Sequence, residues 1–549
     1  MTRNLTARRD SLRGHPGQDP NMKHQALTFL LLLASAVNVV GCGEQATDTH
    51  ALQGENPEQA VESNNGILWY AGTVDEAFVA AKAEQKPVYL YWGAAWCPPC
   101  HAISATVFKS KSFIDRSRSF IAVYLDGDTQ NAQAIGESFG VRGYPTMIVF
   151  DPSGNELTRI PGGMDMQAYA NVLDLVLDDV APAAEIVSWV MDDGETLGSN
   201  DCRLVAYYSW GQNREILAER DAALVFKSLE AACPAELVTE KSILYLAQLS
   251  KRLKAAADEE DPQPLTLSEK SHALTRINAI LDDHTQVKAN VFDVVLGGAE
   301  IAAALTESGT AERQELQDKF LVALDKLFND DSVYMRERIY TLAGKIDFER
   351  IDDEESEISA ALREEIRTKV QWADETTTNP YERHPIINAA ANVLDAAGMN
   401  DVAKPMLLAE IEHAKQPYYF MVALANIEQE AGNNDAAIDW LKRAYDASTG
   451  PATRFQWGYY YVSGLMEMAP EDAETIRNAT VNLVREVEAS GGFYLRPKAQ
   501  LKRLEAKLRD WSADDAILAT IREEVLTICA RPEDTESPGS ACQNFLTPA

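Results

Sequence analysis

Tyr89-Leu90-Tyr91-Trp92-Gly93-Ala94-Ala95-Trp96-Cys97-Pro98-Pro99-Cys100 runs from an apolar stretch straight into two cysteines separated by two prolines. The apolar run Val88 to Trp92 suits a strand buried on both faces. Pro98 and Pro99 fit the first turn of a following helix, where their missing N–H groups would have no intrahelical partner. The cysteines therefore stand at a strand-to-helix junction. Cys97 opens the helix, where unpaired backbone N–H groups and the positive dipole end favour thiolate over thiol. Thiols so placed have pKa values of roughly 3.5–7.5 in place of about 8.5. Cys100 follows one helical turn later and can close a disulfide with the same sulfur.

The flanking residues alternate between strand and helix patterns. Ile67-Leu68-Trp69 reads as a short strand, and Thr73 can cap a helix running to about Ala83. Phe120 to Leu125 is a second buried strand, followed by a helix from Asn131 to Phe139. Thr146 to Phe150 and Glu156 to Ile160 flank Asp151-Pro152-Ser153-Gly154-Asn155, which is hairpin chemistry, and a last helix runs from about Asp165 to Leu177. Such an order makes an α/β sheet with helices on both faces. Just before one of these strands lies Gly140-Val141-Arg142-Gly143-Tyr144-Pro145-Thr146, whose proline suits a sheet interior only if its peptide bond is special.

A Trp-Cys-x-x-Cys motif after a buried strand, joined to the Tyr144-Pro145 segment, resembles the thioredoxin family over about Ile67 to Asp179. The resemblance implies thiol:disulfide exchange with protein substrates, through Cys97 and Cys100 and needing neither metal nor organic cofactor. It implies a cis Pro145 beside the cysteines, a Tyr144 backbone that pairs with an extended substrate, and Trp96 on the substrate side. It also makes Pro98 and Pro99 the residues that tune redox behaviour, and Gly162-Gly163 the small-residue position near the site. Two departures stand out. Many family members carry a buried acid on the strand before the motif, where this chain has Tyr89, Leu90 and Tyr91, and Ala95 replaces an acid that is common beside the tryptophan. The direction of exchange stays open, since related folds span roughly −270 to −120 mV.

Rival readings exist for the same residues. Cys97-Pro98-Pro99-Cys100-His101 also fits c-type haem attachment, against which the preceding strand, Trp96 and Tyr144-Pro145 weigh. Structural zinc needs four ligands, and no second Cys/His pair of suitable spacing accompanies this one. A structural disulfide on an inactive scaffold is the third alternative. His101 reads most simply as a solvent-side residue.

The 549-residue chain exceeds one ordinary core. Its N-terminal part resembles a bacterial lipoprotein leader. Lys23 precedes the apolar run Ala26 to Val40, and Val39-Val40-Gly41-Cys42 resembles a lipobox. That resemblance implies a signal peptide over residues 1–42, lipidation of Cys42, a multi-chain membrane anchor and, with Gly43 next, sorting to the outer membrane of a Gram-negative cell, facing the periplasm. Residues 43–64 are polar and aperiodic and read as a flexible tether. Besides Cys42, six cysteines remain, an even number that suits an oxidising compartment. Cys202–Cys233 and Cys529–Cys542 are the natural pairs beyond Cys97–Cys100, with free buried thiols as the alternative.

From about Pro182 the texture becomes helical with short polar breaks. Gly398 and Gly432 lie 34 residues apart, each preceded seven residues earlier by Ala (Ala391, Ala425) and followed five residues later by Ala (Ala403, Ala437). Leu424, Leu441 and Ala444 fall where a tetratricopeptide repeat puts packing residues, although Glu428 takes the usual aromatic position. The expected fold is thus an α/β thioredoxin-like domain over residues 65–180, then an all-α helical-repeat region, an α-solenoid of tetratricopeptide-like character, over 181–549. Aromatic clusters at Tyr418, Tyr419 and Phe420 and at Trp457, Tyr459, Tyr460 and Tyr461 fit packing between repeats better than a concave binding face. A net charge of −34 argues against a phosphate backbone and so against nucleic acid as partner. The sequence supports two functions: an envelope thiol:disulfide oxidoreductase exchanging with protein substrates and a redox partner, or an interaction scaffold whose thioredoxin-like domain is ancillary or inactive.

Overall fold

A computed structural model describes residues 61–64, 66–94, 97–160, 166–178, 180–213, 215–217, 220–257, 262–489, 494–512, 515–529, 542 and 544–547. The leader, Cys42 and most of the tether lie outside the described residues, as do Trp96 and Gly162-Gly163.

The sheet begins earlier than the tether reading allowed. Val61–Asn64 forms β1, antiparallel to β2 (Ile67–Tyr70), with Asn64 opposite Ile67. The two residues between them are Asn65-Gly66, the pairing that favours a tight hairpin, and Gly66 has φ 89°. Next comes α1 (Val74–Glu84), closed at its start by a reciprocal capping box between Thr73 and Glu76. β3 (Val88–Gly93) leads to α2 (Pro98–Ala105), then α3 (Lys111–Ser117), β4 (Ile121–Asp126) and α4 (Gln130–Ser138). β5 (Thr146–Phe150), β6 (Glu156–Ile160) and α5 (Met166–Leu175) complete the unit.

The six strands lie in the order β1-β2-β4-β3-β5-β6. β3 pairs parallel with β4 and antiparallel with β5. All six of its residues are buried, and its side chains alternate between two cores. Val88, Leu90 and Trp92 pack with Val74, Ala77 and Ala81 of α1 and Ala132 of α4. Tyr89 and Tyr91 face the other way, onto Phe108, Phe113 and Tyr169.

Every regular element described from Ala183 to Cys529 is helical. The change of texture near residue 180 does not divide the cores. Cys202, Val205, Phe226 and Leu229 pack in the same core as Tyr89, Met147 and Val172. Main chain joins the two as well, Ser209 N–H donating to the Arg159 carbonyl of β6 at 2.9 Å. Further along, Gly398 (φ 65°) and Gly432 (φ 75°) end two helices, Pro380–Ala396 and Tyr418–Glu430. Each turn closes alike: Met399 N–H donates to Leu394 O and Asn433 N–H to Glu428 O, both at 2.8 Å. Ala391, Ala403, Ala425 and Ala437 are buried where the helices meet. Glu428, in place of an aromatic, accepts from Asn433 Nδ2 at 2.8 Å and pairs with Lys404. The aromatic clusters are core, with Tyr418, Phe420 and Trp457 all but inaccessible.

Candidate redox site

β3 and β4 run parallel, so the loops that leave their C-terminal ends gather on one side of the sheet. Gly127 N–H donates to Gly93 O at 2.8 Å, tying the loop after β4 to the loop after β3. β5 enters at the same end, Thr146 lying opposite Trp92, which puts Pro145 one residue beyond that pair. The Tyr144–Pro145 peptide bond is cis. Tyr144 points inward and donates its hydroxyl to Gly127 O at 2.8 Å, while Thr146 Oγ1 donates to Gly143 O at 2.7 Å. Three loops are thereby locked at the sheet end from which α2 departs.

Cys97 precedes α2 and Cys100 lies in its first turn, their sulfurs joined at 2.02 Å with 5.0 Å between Cα atoms. Cys97 N–H donates to Ala94 O at 3.1 Å and the Cys97 carbonyl accepts from His101 N–H at 2.9 Å, so the helix begins at this residue. Cys100 N–H donates to Cys97 Sγ at 3.1 Å. It is one of the donors a helix N-terminus leaves unpaired, and on reduction it faces a sulfur whose anionic form it favours. Pro99 is half-buried in the same turn. No carboxylate stands on β3. Burial holds the Tyr89 and Tyr91 phenols well above their ordinary range, each further raised by a neighbouring tyrosine, so both stay protonated. They cannot replace a carboxylate as proton acceptor.

Both sulfurs are shielded, Cys97 at 0% and Cys100 at 3% exposure. The helical region contributes to their surroundings. α2 packs against the Pro380–Ala396 helix and α4 against the Leu495–Trp511 helix. His101 is half-buried, contrary to its reading as a solvent-side residue, and lines a cavity of about 260 Å³ with Pro380, Arg383, His384, Glu410 and Lys415. Arg383 donates from Nε to Glu410 at 2.7 Å and from Nη1 to both Asp374 O and Thr377 O. His384 packs against Tyr419 and Phe420, ring centroids 4.9 and 4.8 Å away. Burial lowers its pKa to about 4; a hydrogen bond donated to the Gln416 backbone opposes this, and nearby His101 adds to it. Sequence reasoning missed this wall of the site because its residues lie some 280 to 320 positions from the cysteines, and no local pattern marks them.

The remaining cysteines pair as Cys202–Cys233 and Cys529–Cys542. Among the described residues no group of three or more His, Cys, Asp or Glu could hold a metal ion, and no helix is long and apolar enough to cross a membrane.

The strand order, the capped redox helix and the adjoining cis-proline loop define a thioredoxin-like domain, followed here by a helical C-terminal region. Residues 74–177 match the thioredoxin-like domain family. The chain is similar to the thiol:disulfide interchange protein DsbD of Yersinia pestis, 30% identical over 143 residues, 25% of this chain and 23% of that protein. Its namesake in Pseudoalteromonas atlantica is 28% identical over 100 residues, 18% of this chain and 17% of the relative. Protein disulfide-isomerase erp38 of Neurospora crassa is 25% identical over 89 residues, 16% and 24% of the two chains. The chain thus spans about a quarter or less of the length of these relatives.

Proposed function

We propose that this chain is a thiol:disulfide oxidoreductase acting on protein substrates through Cys97 and Cys100. The Cys97 thiolate attacks a substrate disulfide, forming a mixed disulfide and releasing one substrate thiolate. Cys100 then loses its proton and attacks Cys97 Sγ, releasing the second substrate thiolate and leaving Cys97–Cys100 oxidised. Two electrons pass from the pair to the substrate, and oxidation of a substrate follows the reverse path. Trp96, Tyr144 and Pro145 form the substrate side, and Pro98 and Pro99 set how readily the pair is reduced. The observation that carries this reading is the Cys100 N–H aimed at Cys97 Sγ from the first turn of a helix. The names of the similar proteins support it too.

The chain is further proposed to be an envelope lipoprotein anchored through Cys42, its tetratricopeptide-like repeats positioning partners. The 34-residue recurrence of a glycine-closed helical turn supports the repeat reading. The shielding of both sulfurs favours a second reading, an interaction scaffold with a silent redox pair. Cys100→Ser separates the two: it is expected to accumulate mixed disulfides with protein substrates through Cys97, and Cys97→Ser to accumulate none. Only non-covalent partners and no disulfide turnover would overturn the oxidoreductase reading.

A further inference from the structure

The helical region holds the α/β unit in two different ways. On the Tyr89/Tyr91 side the attachment is dense and continuous. Cys202 and Cys233 form a disulfide inside the shared core, and Ser209 extends β6 by a main-chain bond. The redox side is built otherwise. There α2 meets the Pro380–Ala396 helix beside a cavity lined by charged and polar groups. α4 meets the Leu495–Trp511 helix, with Glu137 and Lys498 half-exposed and 4.0 Å apart. This seam also carries apolar packing, but the cavity and the long, solvated ion pair leave parts of it without close contact.

Disulfide exchange needs access of the incoming sulfur to Cys97 Sγ. Cys97 has no exposed surface, and with Cys100 and Tyr144 it shares a core with Tyr418, Tyr419 and Trp457 of the helical region. Resting on the oxidoreductase reading, we propose that the distal helices, from Pro380 onward, are a lid that closes the redox pair, and that exchange begins when they part from α2 and α4 while the Tyr89/Tyr91 side stays attached. His384 belongs to the closed state, since a neutral ring suits its buried place.

The lid is tested by alkylating Cys97 in the full chain carrying Cys42→Ala and Cys100→Ser, with N-ethylmaleimide and with a 5-kDa polyethylene-glycol maleimide. Labelling is expected at least tenfold slower than in the urea-unfolded chain, with equal retardation for both reagents, because both wait for the same opening. Glu137→Lys, setting like charges against each other, is expected to speed labelling about two- to fivefold. The double swap Glu137→Lys with Lys498→Glu is expected to restore the slow rate, with far-UV circular dichroism unchanged throughout. Labelling as fast as in the unfolded chain overturns the lid, and so does slowing confined to the large reagent or indifference to the charge swap. Each of those results leaves mixed-disulfide trapping free to succeed. Gated labelling without any trapped substrate retains the lid and refutes the oxidoreductase.

Discussion

Gly127 carries a hydrogen where any larger substituent would overlap the Tyr144 ring. The ring cannot retreat cheaply, because its hydroxyl is bonded to the Gly127 carbonyl and its backbone continues into Pro145. Gly127→Ala therefore moves the loop that faces the redox pair. Overpacking of this kind costs about 1–3 kcal/mol of stability. A displacement near 1 Å costs a reacting site up to about a hundredfold in rate. The expected outcome is a modest fall in urea midpoint with a drop of tenfold or more in protein-disulfide reduction. Tyr144→Phe, which removes one hydrogen bond worth about 1 kcal/mol, should lose far less activity. Loss of activity in equal measure for the two variants would show that loop position is not what matters. The Cys97/Cys100 pair and Pro145 were legible as residues, since each is a local break in pattern. The inward turn of Tyr144 was not, because the glycine that admits it lies on another loop.

Among the elements, α1, β3, β5 and β6 follow the local signals of cap, apolar run and turn closely. β1 and α3 escaped them. β1 is Val61-Glu62-Ser63-Asn64, too short and polar to show alternation, and the Asn-Gly pair after it was the available sign. α3 is seven residues long and depends on Ser110 accepting from Phe113 N–H. The Cys202–Cys233 link joins the Ser199–Ala206 and Ala222–Ala232 helices across a separation of 31 residues. Closing a loop of that length stabilises by about 3–4 kcal/mol through the unfolded state. Replacing both cysteines with alanine should lower the unfolding free energy by that order in urea melts. The redox equilibrium of Cys97–Cys100 should stay unchanged, because this link lies in the Tyr89/Tyr91 core, across the sheet from the core that holds the pair. A shift in that equilibrium would mean that the two sides of the unit are coupled.

For the whole molecule, acid acts on buried groups of opposite sign. His384, at about 4 when folded and near 6.5 when unfolded, takes no proton in either state at pH 8. As pH falls from 6.5 toward 4 the unfolded chain binds a proton that the folded chain refuses, so stability is lost, by the order of 3 kcal/mol at pH 4. Around the ring stand His101 from α2, Arg383 on its own helix, Glu410 from the Asn400–Ile411 helix, and His413, Lys415 and Tyr419 beyond it. Asp347 and Asp293, raised by burial to about 7 and about 6, work the other way, because their folded forms take up protons first. Comparing wild type with His384→Phe at each pH cancels those acids. The variant's stability relative to wild type should rise by about 3 kcal/mol between pH 7 and pH 4 in chemical denaturation. A pH-independent difference would refute the burial of a neutral His384.

The sequence by itself determined the cysteine pair at a strand-to-helix junction, the alternating α/β order and the turn to an all-helical region. All of these are written in neighbours a few residues apart, through period, capping and turn chemistry. The closing of the redox site was decided only by the tertiary structure. It brings His384, Tyr419 and Lys498 across hundreds of residues to α2 and α4, and such a meeting depends on the shapes of assembled surfaces, which no local window contains.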